Sequence, residues 1–475
     1  MIMKRNILPV IFTIISLCSC MTMAPDYKRP AAPVPSEWPT GPAYKQAADG
    51  QTKPADIAAV DIGWRNFYAD EKLQKVIALA LNNNRDLRIT ALNVEKARAL
   101  YQIQRAELLP AINAAGNWIE QKIPADISTE SGEAMSYKQY EVSIGVVSWE
   151  LDFFGRIRSL KDRALEQYLA TEQARRSAQI LLVSAVANAY LALAADRENL
   201  DLAQSTLDAQ QATYNLIKRR FDVGTSSELE LNQAQTRLDA ARVDIARYTG
   251  QVAQDENALQ LLVGSPVSAE LMPGEFKTVV LLKDLSPGIS SEVLLRRPDI
   301  LQAEHMLKAT NASIGAARAA FFPRIALTSN IGTTSDALSG LFGAGSNTWI
   351  FAPQIAMPIF DARLWPALKA SKVEREIVLA QYEKAIQAAF KEVADALAVQ
   401  GTVDKQLSAQ ESLVKATANT YRLAEVRYTG GIDSYLTVLD AQRSLYGARQ
   451  GLVALRLARI ANQVRLYAVL GGGSD

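Results

Sequence analysis

The chain has 475 residues, with 51 Lys and Arg against 50 Asp and Glu, and a single histidine, His305. A formal charge of +1, which becomes −1 once a leader carrying Lys4 and Arg5 is removed, gives no basic footprint for a nucleic-acid partner. One histidine, and two cysteines that both lie near the start (Cys18 and Cys20), leave almost nothing from which to build a metal site or a histidine-based catalytic set, so neither cofactor nor metal is expected.

Residues 1–19 combine Lys4 and Arg5 with the apolar run Ile7–Leu17, which is a secretory leader too short to span a bilayer as a helix. Leu17-Cys18-Ser19-Cys20 is similar to a bacterial lipoprotein processing site, which makes Cys20 the expected site of acylation (palmitate). One acyl signal anchors only marginally, so firmer attachment to outer-membrane lipid has to come from the rest of the chain. No later stretch reads as long and apolar enough for a transmembrane helix. Residues 20–66 form the expected lipid-anchored arm, extended because Pro25, Pro30, Pro33, Pro35, Pro39 and Pro42 punctuate it.

Residues 67–264 read as a first structural repeat. A helical pattern runs from Leu73 to Leu109 and stops at Pro110, and alternating apolar residues then mark strands at about 111–120 and 139–151. From Phe153 to about Phe221 no proline occurs, enough for a helix of about 100 Å at 1.5 Å per residue. Residues 265–290 are a connector. The second repeat, 291–475, has a helix from Pro298 to Phe322, strands at about 324–333 and 348–357, and a proline-free run from Ala367 to about Tyr428.

The duplication shows in a fixed register. At offset 207, Arg220 falls on Arg427, Gly224 on Gly431, Ser227 on Ser434, Leu229 on Leu436 and Gly264 on Gly471. Before the strands the offset is 213, with Arg105 on Arg318 and Ile112 on Ile325, so six extra residues lie between Ile112 and Phe153, where a loop is the natural place. Ile386, Phe390, Val393 and Leu397 repeat at 4-3-4 spacing and match Gln179, Val183, Val186 and Tyr190, a coiled-coil seam. Around the second turn, Gly430 and Gly431 are expected to let the backbone leave one helix, and Asp433 or Ser434 to cap the next.

Each strand is near the roughly 9–11 residues that cross a bilayer at a tilt, and Trp118, Trp149 and Trp349 sit near strand ends as interfacial aromatics do. Four strands cannot close a barrel, and a bilayer forbids open edges. Two copies give eight strands filled by side chains, and three give twelve with a lumen; the trimer is the expectation.

Trp149–Arg156 (WELDFFGR), Ala316–Pro323 (AARAAFFP), Tyr435–Arg443 (YLTVLDAQR) and Leu470–Gly473 (LGGG) resemble the outer-membrane efflux channels of the TolC/OprM type, in the lipoprotein branch, along essentially the whole chain. That resemblance implies a mainly α fold with a membrane β-barrel: a homotrimeric twelve-stranded barrel continuous with a long helical barrel in the periplasm. It implies a passive exit duct for drugs or other small toxic compounds, served by a periplasmic adaptor and an inner-membrane transporter of the RND type, and not an enzyme. The helix tips, with Val223, Gly224, Ser227, Gly430, Gly431 and Ser434, are the expected adaptor contacts. The resemblance assigns a periplasmic gate to Leu436, Asp440, Arg427 and Tyr428, with Asp196 as the acid that holds Arg427. Alternatives are a type I protein secretion duct and a lipid-anchored coiled-coil scaffold; the cluster Glu150, Asp152 and Arg156 is better read as a barrel rim than as a catalytic site.

Overall fold

A computed structural model describes residues 22–44, 59–126, 134–274, 276 and 290–473; Cys20 with its leader, the connection that contains Gly132 and residues 277–289 of the expected connector lie outside the described residues. The long elements are α1 (Glu71–Asn83), α2 (Arg85–Ala106), β1 (Ile112–Ile123), β2 (Met135–Leu151), α3 (Arg156–Asp222), α4 (Glu228–Val263), α5 (Pro298–Ala319), β3 (Arg324–Ser335), β4 (Asn347–Ala356), α6 (Leu364–Thr429) and α7 (Tyr435–Val469). The single helix expected from Leu73 is two, because Asn84 interrupts it with an extended backbone. Its Oδ1 accepts from the Leu87 amide at 2.9 Å while its Nδ2 donates to the Leu262 carbonyl at 2.8 Å, a side-chain bond that starts one helix by ending another.

The chain divides into two units, one of Met1–Pro30, Asn93–Thr171 and Gln302–Tyr382, the other of Ala31–Leu92, Glu172–Leu301 and Glu383–Asp475. The first unit holds a four-stranded sheet in the order β1-β2-β3-β4, antiparallel throughout. Three strands run further than expected, since β1 reaches Ile123, β2 begins at Met135 and β3 ends at Ser335, while β4 starts and stops one residue early. Charged pairs hid the extension: Glu120 and Lys138 stand opposite each other and join at 3.1 Å, so pairing continues where apolar alternation has stopped.

Register sorts the side chains into two faces. Ala114, Ile144, Ile331 and Trp349 form one row across all four strands, with Trp118, Val142, Leu327, Phe351 and Ile355 on the same face. Asn117, Glu141, Thr334 and Thr348, among others, point the other way. Between Val146 and Trp149 the β2 register shifts, and Ser148 takes a left-handed backbone (φ 59°) with its amide donating to Thr328 Oγ1 at 3.3 Å. Without this bulge Trp149 and Leu151 would fall on the polar face; with it they lie opposite Leu327 and Ile325. A Cβ on Gly145 would come within 2.2 Å of the Ser329 carbonyl oxygen, and one on Gly332 within 2.2 Å of the Val142 carbonyl oxygen, so the β2–β3 seam needs glycine on the polar face.

The six extra residues are not all in a loop. Ile112 pairs with Val146 and Ile325 with Ile355, so with Ile112 on Ile325 at offset 213, Val146 falls on Ile355 at offset 209. The first hairpin thus accounts for four of the six, and the other two lie beyond Val146, where β2 bulges.

Residues 22–44 of the arm form neither helix nor strand. In the first unit Arg318 donates to the Met23 carbonyl at 3.1 Å, Asn311 to the Pro25 carbonyl at 2.6 Å, and Tyr27 and Arg29 reach Glu304 at 3.1 and 2.5 Å. Burial pushes the Glu304 carboxyl up, but hydrogen bonds from Arg29 and Lys308 outweigh it and leave its pKa below the usual range. In the second unit Ser291 donates to the Pro35 carbonyl at 2.6 Å and Trp38 stacks on Phe390 with ring centroids 5.1 Å apart.

In the second unit the expected seam is the core: Val183, Val186, Tyr190, Ile386, Val393 and Leu397 are all buried. The expectation that no later stretch is apolar enough to span a bilayer is corrected by α3, which has an 18-residue window of mean hydropathy 1.8. Most of that window is buried, so packing absorbs the apolar surface. Phe67 stacks on Tyr467 at 3.9 Å between centroids, and Arg297, almost fully buried, donates to Asp299 (2.6 Å), Glu392 (3.0 Å) and the Val469 carbonyl (2.7 Å). A buried guanidinium with this many acceptors keeps its charge, and burial is outweighed by those bonds.

Candidate functional site

Two helix-to-helix turns, α3–α4 and α6–α7, close the same end of the second unit with one backbone design. The Thr225 amide donates to the Arg220 carbonyl (2.7 Å) and the Gly224 amide to the Phe221 carbonyl (2.9 Å); Ile432 to Arg427 (2.9 Å) and Gly431 to Tyr428 (3.0 Å) repeat the pattern at offset 207. Gly224 (φ 78°) and Gly431 (φ 72°) take the left-handed position that ends each helix. Gly430 does not, so the expectation of a two-glycine exit reduces to one.

Beneath the turns, Ile217 of α3, Ala234 of α4, Ala424 of α6 and Tyr435, Val438, Leu439 and Ala441 of α7 form one apolar cluster, flanked by Tyr214, Leu231, Tyr421 and Tyr428. Arg220 donates to the Tyr428 hydroxyl at 3.2 Å and lies 5.6 Å from its ring centroid. Tyr428 in turn leans on Tyr435, with centroids 5.3 Å apart. Above this packed layer the turns expose apolar side chains: Val223 is 73% exposed, Ile432 66% and Leu436 51%.

The two turns differ chemically. Ser227 caps α4 by accepting from the Glu230 amide at 3.2 Å, but Ser434, at the matching position, makes no side-chain cap. Asp433 does not cap either. Its carboxylate takes the Arg427 guanidinium at 2.6 and 3.0 Å, and that hydrogen-bonded charge holds the Asp433 pKa below the usual carboxylate range. Asp433 corresponds to Ser226 in the first repeat, so only the second turn carries this clip. The expected Asp196–Arg427 bond is therefore corrected. Asp196 lies 26 residues before the end of α3, about 39 Å along a helix, whereas Arg427 is two residues from the end of α6. Asp196 instead accepts from Asn199 at 3.4 Å and neighbours Asp255 of α4, whose pKa is pushed up to about 6 by burial and by the hydrogen-bonded Asp196 carboxyl.

Leu436 and Asp440 are one helical turn apart on α7 and both are exposed, with Asp440 3.3 Å from Arg443. The structure thus gathers Arg427, Tyr428, Leu436 and Asp440 at one end with all six tip residues, and leaves Asp196 elsewhere. Sequence reading missed Arg220, Asp433 and Tyr435. The Arg220–Arg427 match was the available signal for the first; Asp433 was misread because an acid after a glycine turn also fits a helix cap.

Among the described residues there is no group of three or more His, Cys, Asp or Glu side chains placed to hold a metal. The profile of the family described as "Outer membrane efflux protein" matches residues 76–265 and 289–472. The chain is 48% identical over 472 residues to the probable efflux pump outer membrane protein TtgC of Pseudomonas putida, covering 99% of this chain and 96% of that one. It is 41% identical over 464 residues to the outer membrane protein OprJ of Pseudomonas aeruginosa, covering 97% and 94%. A crystal structure of CusC superposes with a TM-score of 0.84 at 40% identity, covering 95% of this chain and all of that one. The open state of the MtrE outer membrane channel of Neisseria gonorrhoeae gives 0.85 at 36% identity, covering 96% and 99%. The chain belongs to the outer membrane efflux protein family.

Proposed function

We propose that three copies of this chain form the passive exit duct of a tripartite pump, expelling small apolar toxic compounds under the drive of an inner-membrane transporter of the RND type, and that the duct is not an enzyme. The observation that carries the duct is the sheet: one apolar face, one polar face, and two edge strands, β1 and β4, whose outer edges have no partner strand among the described residues. In a bilayer those edges must be satisfied by other copies, with the apolar face to lipid and the polar face to a lumen. Relatives named for toluene, solvent and antibiotic efflux favour apolar cargo over polypeptide.

The duplication supplies the register of the joint. Ser143 pairs with Gly332 inside one chain; Ser143 matches Ala352 at offset 209 and Gly332 matches Ile119 at 213, so Ala352 of β4 should face Ile119 of the next copy. Chains carrying Ile119→Cys and Ala352→Cys together should be joined by a short bis-thiol reagent into a covalent trimer that survives boiling in detergent. A product that stops at dimer, or no product, defeats the three-copy reading.

Acylated Cys20 adds a second attachment to lipid, and domain boundaries follow the duplication, with 67–264 and 291–475 as repeats. At the tips, Val223, Gly224, Ser227, Gly430, Gly431 and Ser434 meet a periplasmic adaptor. Leu436 and Asp440 line the closed gate about the threefold axis, where like charges attract cations, while Arg427 and Asp433 clip the turn in place. In planar bilayers Asp440→Asn should weaken cation preference and Arg427→Ala should enlarge conductance; no change in either variant would place the constriction elsewhere.

A further inference from the structure

In the first unit, the arm, the end of α5 and the start of α6 enclose a cleft that the duct does not use. Its end beside the strands is an apolar cavity of about 500 Å³ bounded by Thr22 and Met23 of the arm, Phe321 and Phe322 just before β3, and Trp365 and Leu368 on α6. Trp365 is 71% exposed and stands edge-on to Phe321 with centroids 5.0 Å apart. Arg318 lines this cavity and also a second one of about 420 Å³, which Lys372 and Arg375 share. Lys372 follows Trp365 by seven residues, about 10 Å along α6, so the cationic end lies away from the strands.

The charges are not used up. Arg318 donates to a carbonyl, that of Met23; Arg375 pairs with Glu376 at 2.8 Å; Lys372 is exposed and has no carboxylate partner among the described residues. Three cations thus face one carboxylate. An apolar slot that opens beside membrane strands, with surplus positive charge two helical turns away from them, has the polarity of a lipid with its chains toward the bilayer and its phosphate toward water.

We propose that the cleft binds one anionic glycerophospholipid from the leaflet facing the helices, its acyl chain against Trp365, Phe321 and Phe322 and its phosphate on Lys372, Arg318 and Arg375. The inference rests on the outer-membrane placement of the strands and on nothing about cargo, adaptor or gate. Such a lipid ties the start of the arm to the first turns of α6, at the place where β4 gives way to helix.

Full-length protein in neutral detergent is offered 1-palmitoyl-2-oleoyl phosphatidylglycerol, or the phosphatidylcholine with the same chains, and bound lipid is counted by native mass spectrometry. Phosphatidylglycerol should be retained at one per chain over phosphatidylcholine, and Lys372→Ala should weaken it about fivefold, as expected for one cation near an anionic headgroup. Phosphatidylglycerol brominated on its acyl chain should quench a fluorescence component that is absent in Trp365→Phe. Both side chains are exposed, so neither substitution endangers the fold. Equal retention of the two lipids, or unchanged binding in Lys372→Ala, overturns the proposal. Binding that appears only in Cys20→Ser overturns it too, because the occupant would then be the chain's own acyl group. Conductance in planar bilayers reports on the duct separately, so either reading can fail without the other.

Discussion

Tyr435 is the best place to perturb the tip. It is 1% exposed, at the first position of α7, and it joins the apolar cluster of four helices to Tyr428. Its hydroxyl is buried and has no hydrogen-bond partner among the described residues. Two substitutions therefore have opposite signs. Tyr435→Ala removes the ring and leaves a cavity, at a cost of about 3–5 kcal/mol by analogy with aromatic truncations in other cores. Tyr435→Phe keeps the ring and removes an unsatisfied hydroxyl, and is expected to stabilise by about 1 kcal/mol. Because the tip opens locally, the readout is amide hydrogen exchange across residues 420–445 in the purified protein, where 1.4 kcal/mol is a factor of ten. Exchange there should accelerate about 10²- to 4 × 10³-fold in Tyr435→Ala and slow severalfold in Tyr435→Phe, with the sheet unaffected. Faster exchange in Tyr435→Phe would show that the hydroxyl has a partner, and the argument from burial would fail.

Gly431→Ala should cost the same region about 1–2 kcal/mol, because its φ of 72° disfavours any Cβ, while Gly430→Ala should be close to neutral; equal losses in exchange protection would refute the distinction. Gly145→Val puts side-chain atoms where a Cβ alone already lies 2.2 Å from backbone, so a folded form that migrates differently on gels before and after boiling, expected of a membrane β-barrel, should be lost in the variant, and its persistence would count against the close β2–β3 seam. Asp255, with its pKa raised to about 6, binds a proton when folded that the unfolded chain releases above its ordinary value of 3.8, so local stability of α3 against α4 should fall as pH rises from about 4 to about 6. Exchange measured across that range should show the slope, and Asp196→Asn should flatten it; a flat profile in the unaltered chain would rule the proton-sharing pair out.

The long elements were legible because their signals are long. Proline-free runs foretold α3 and α6 to within about three residues, and the 4-3-4 seam named side chains that are buried. The duplication also foretold that the two turns share a backbone. What it could not foretell is where the copies have diverged: Ser226 and Asp433 occupy matching positions, yet only Asp433 meets an arginine. Asp196 was misplaced for a different reason. The resemblance matched it through a local stretch of sequence, which says nothing about height along a helix, and a residue 26 positions from the turn cannot reach one that is two positions away. Asn84 was missed because its helix-breaking action depends on Leu262, a partner remote in sequence.

The seam between β2 and β3 also sets a timetable. Val142 meets Thr333 and Tyr140 meets Ser335, so the two hairpins, which are neighbours in the sheet, are separated by all of α3, α4 and α5 in the order of synthesis. Each hairpin alone is a two-stranded ribbon with too little structure to persist. The apolar face therefore cannot exist until most of the chain has emerged, and contacts this distant in sequence form slowly. For a polypeptide that must cross one membrane before it settles in another, late pairing is protective: the export machinery handles a chain whose membrane-seeking surface has yet to be assembled.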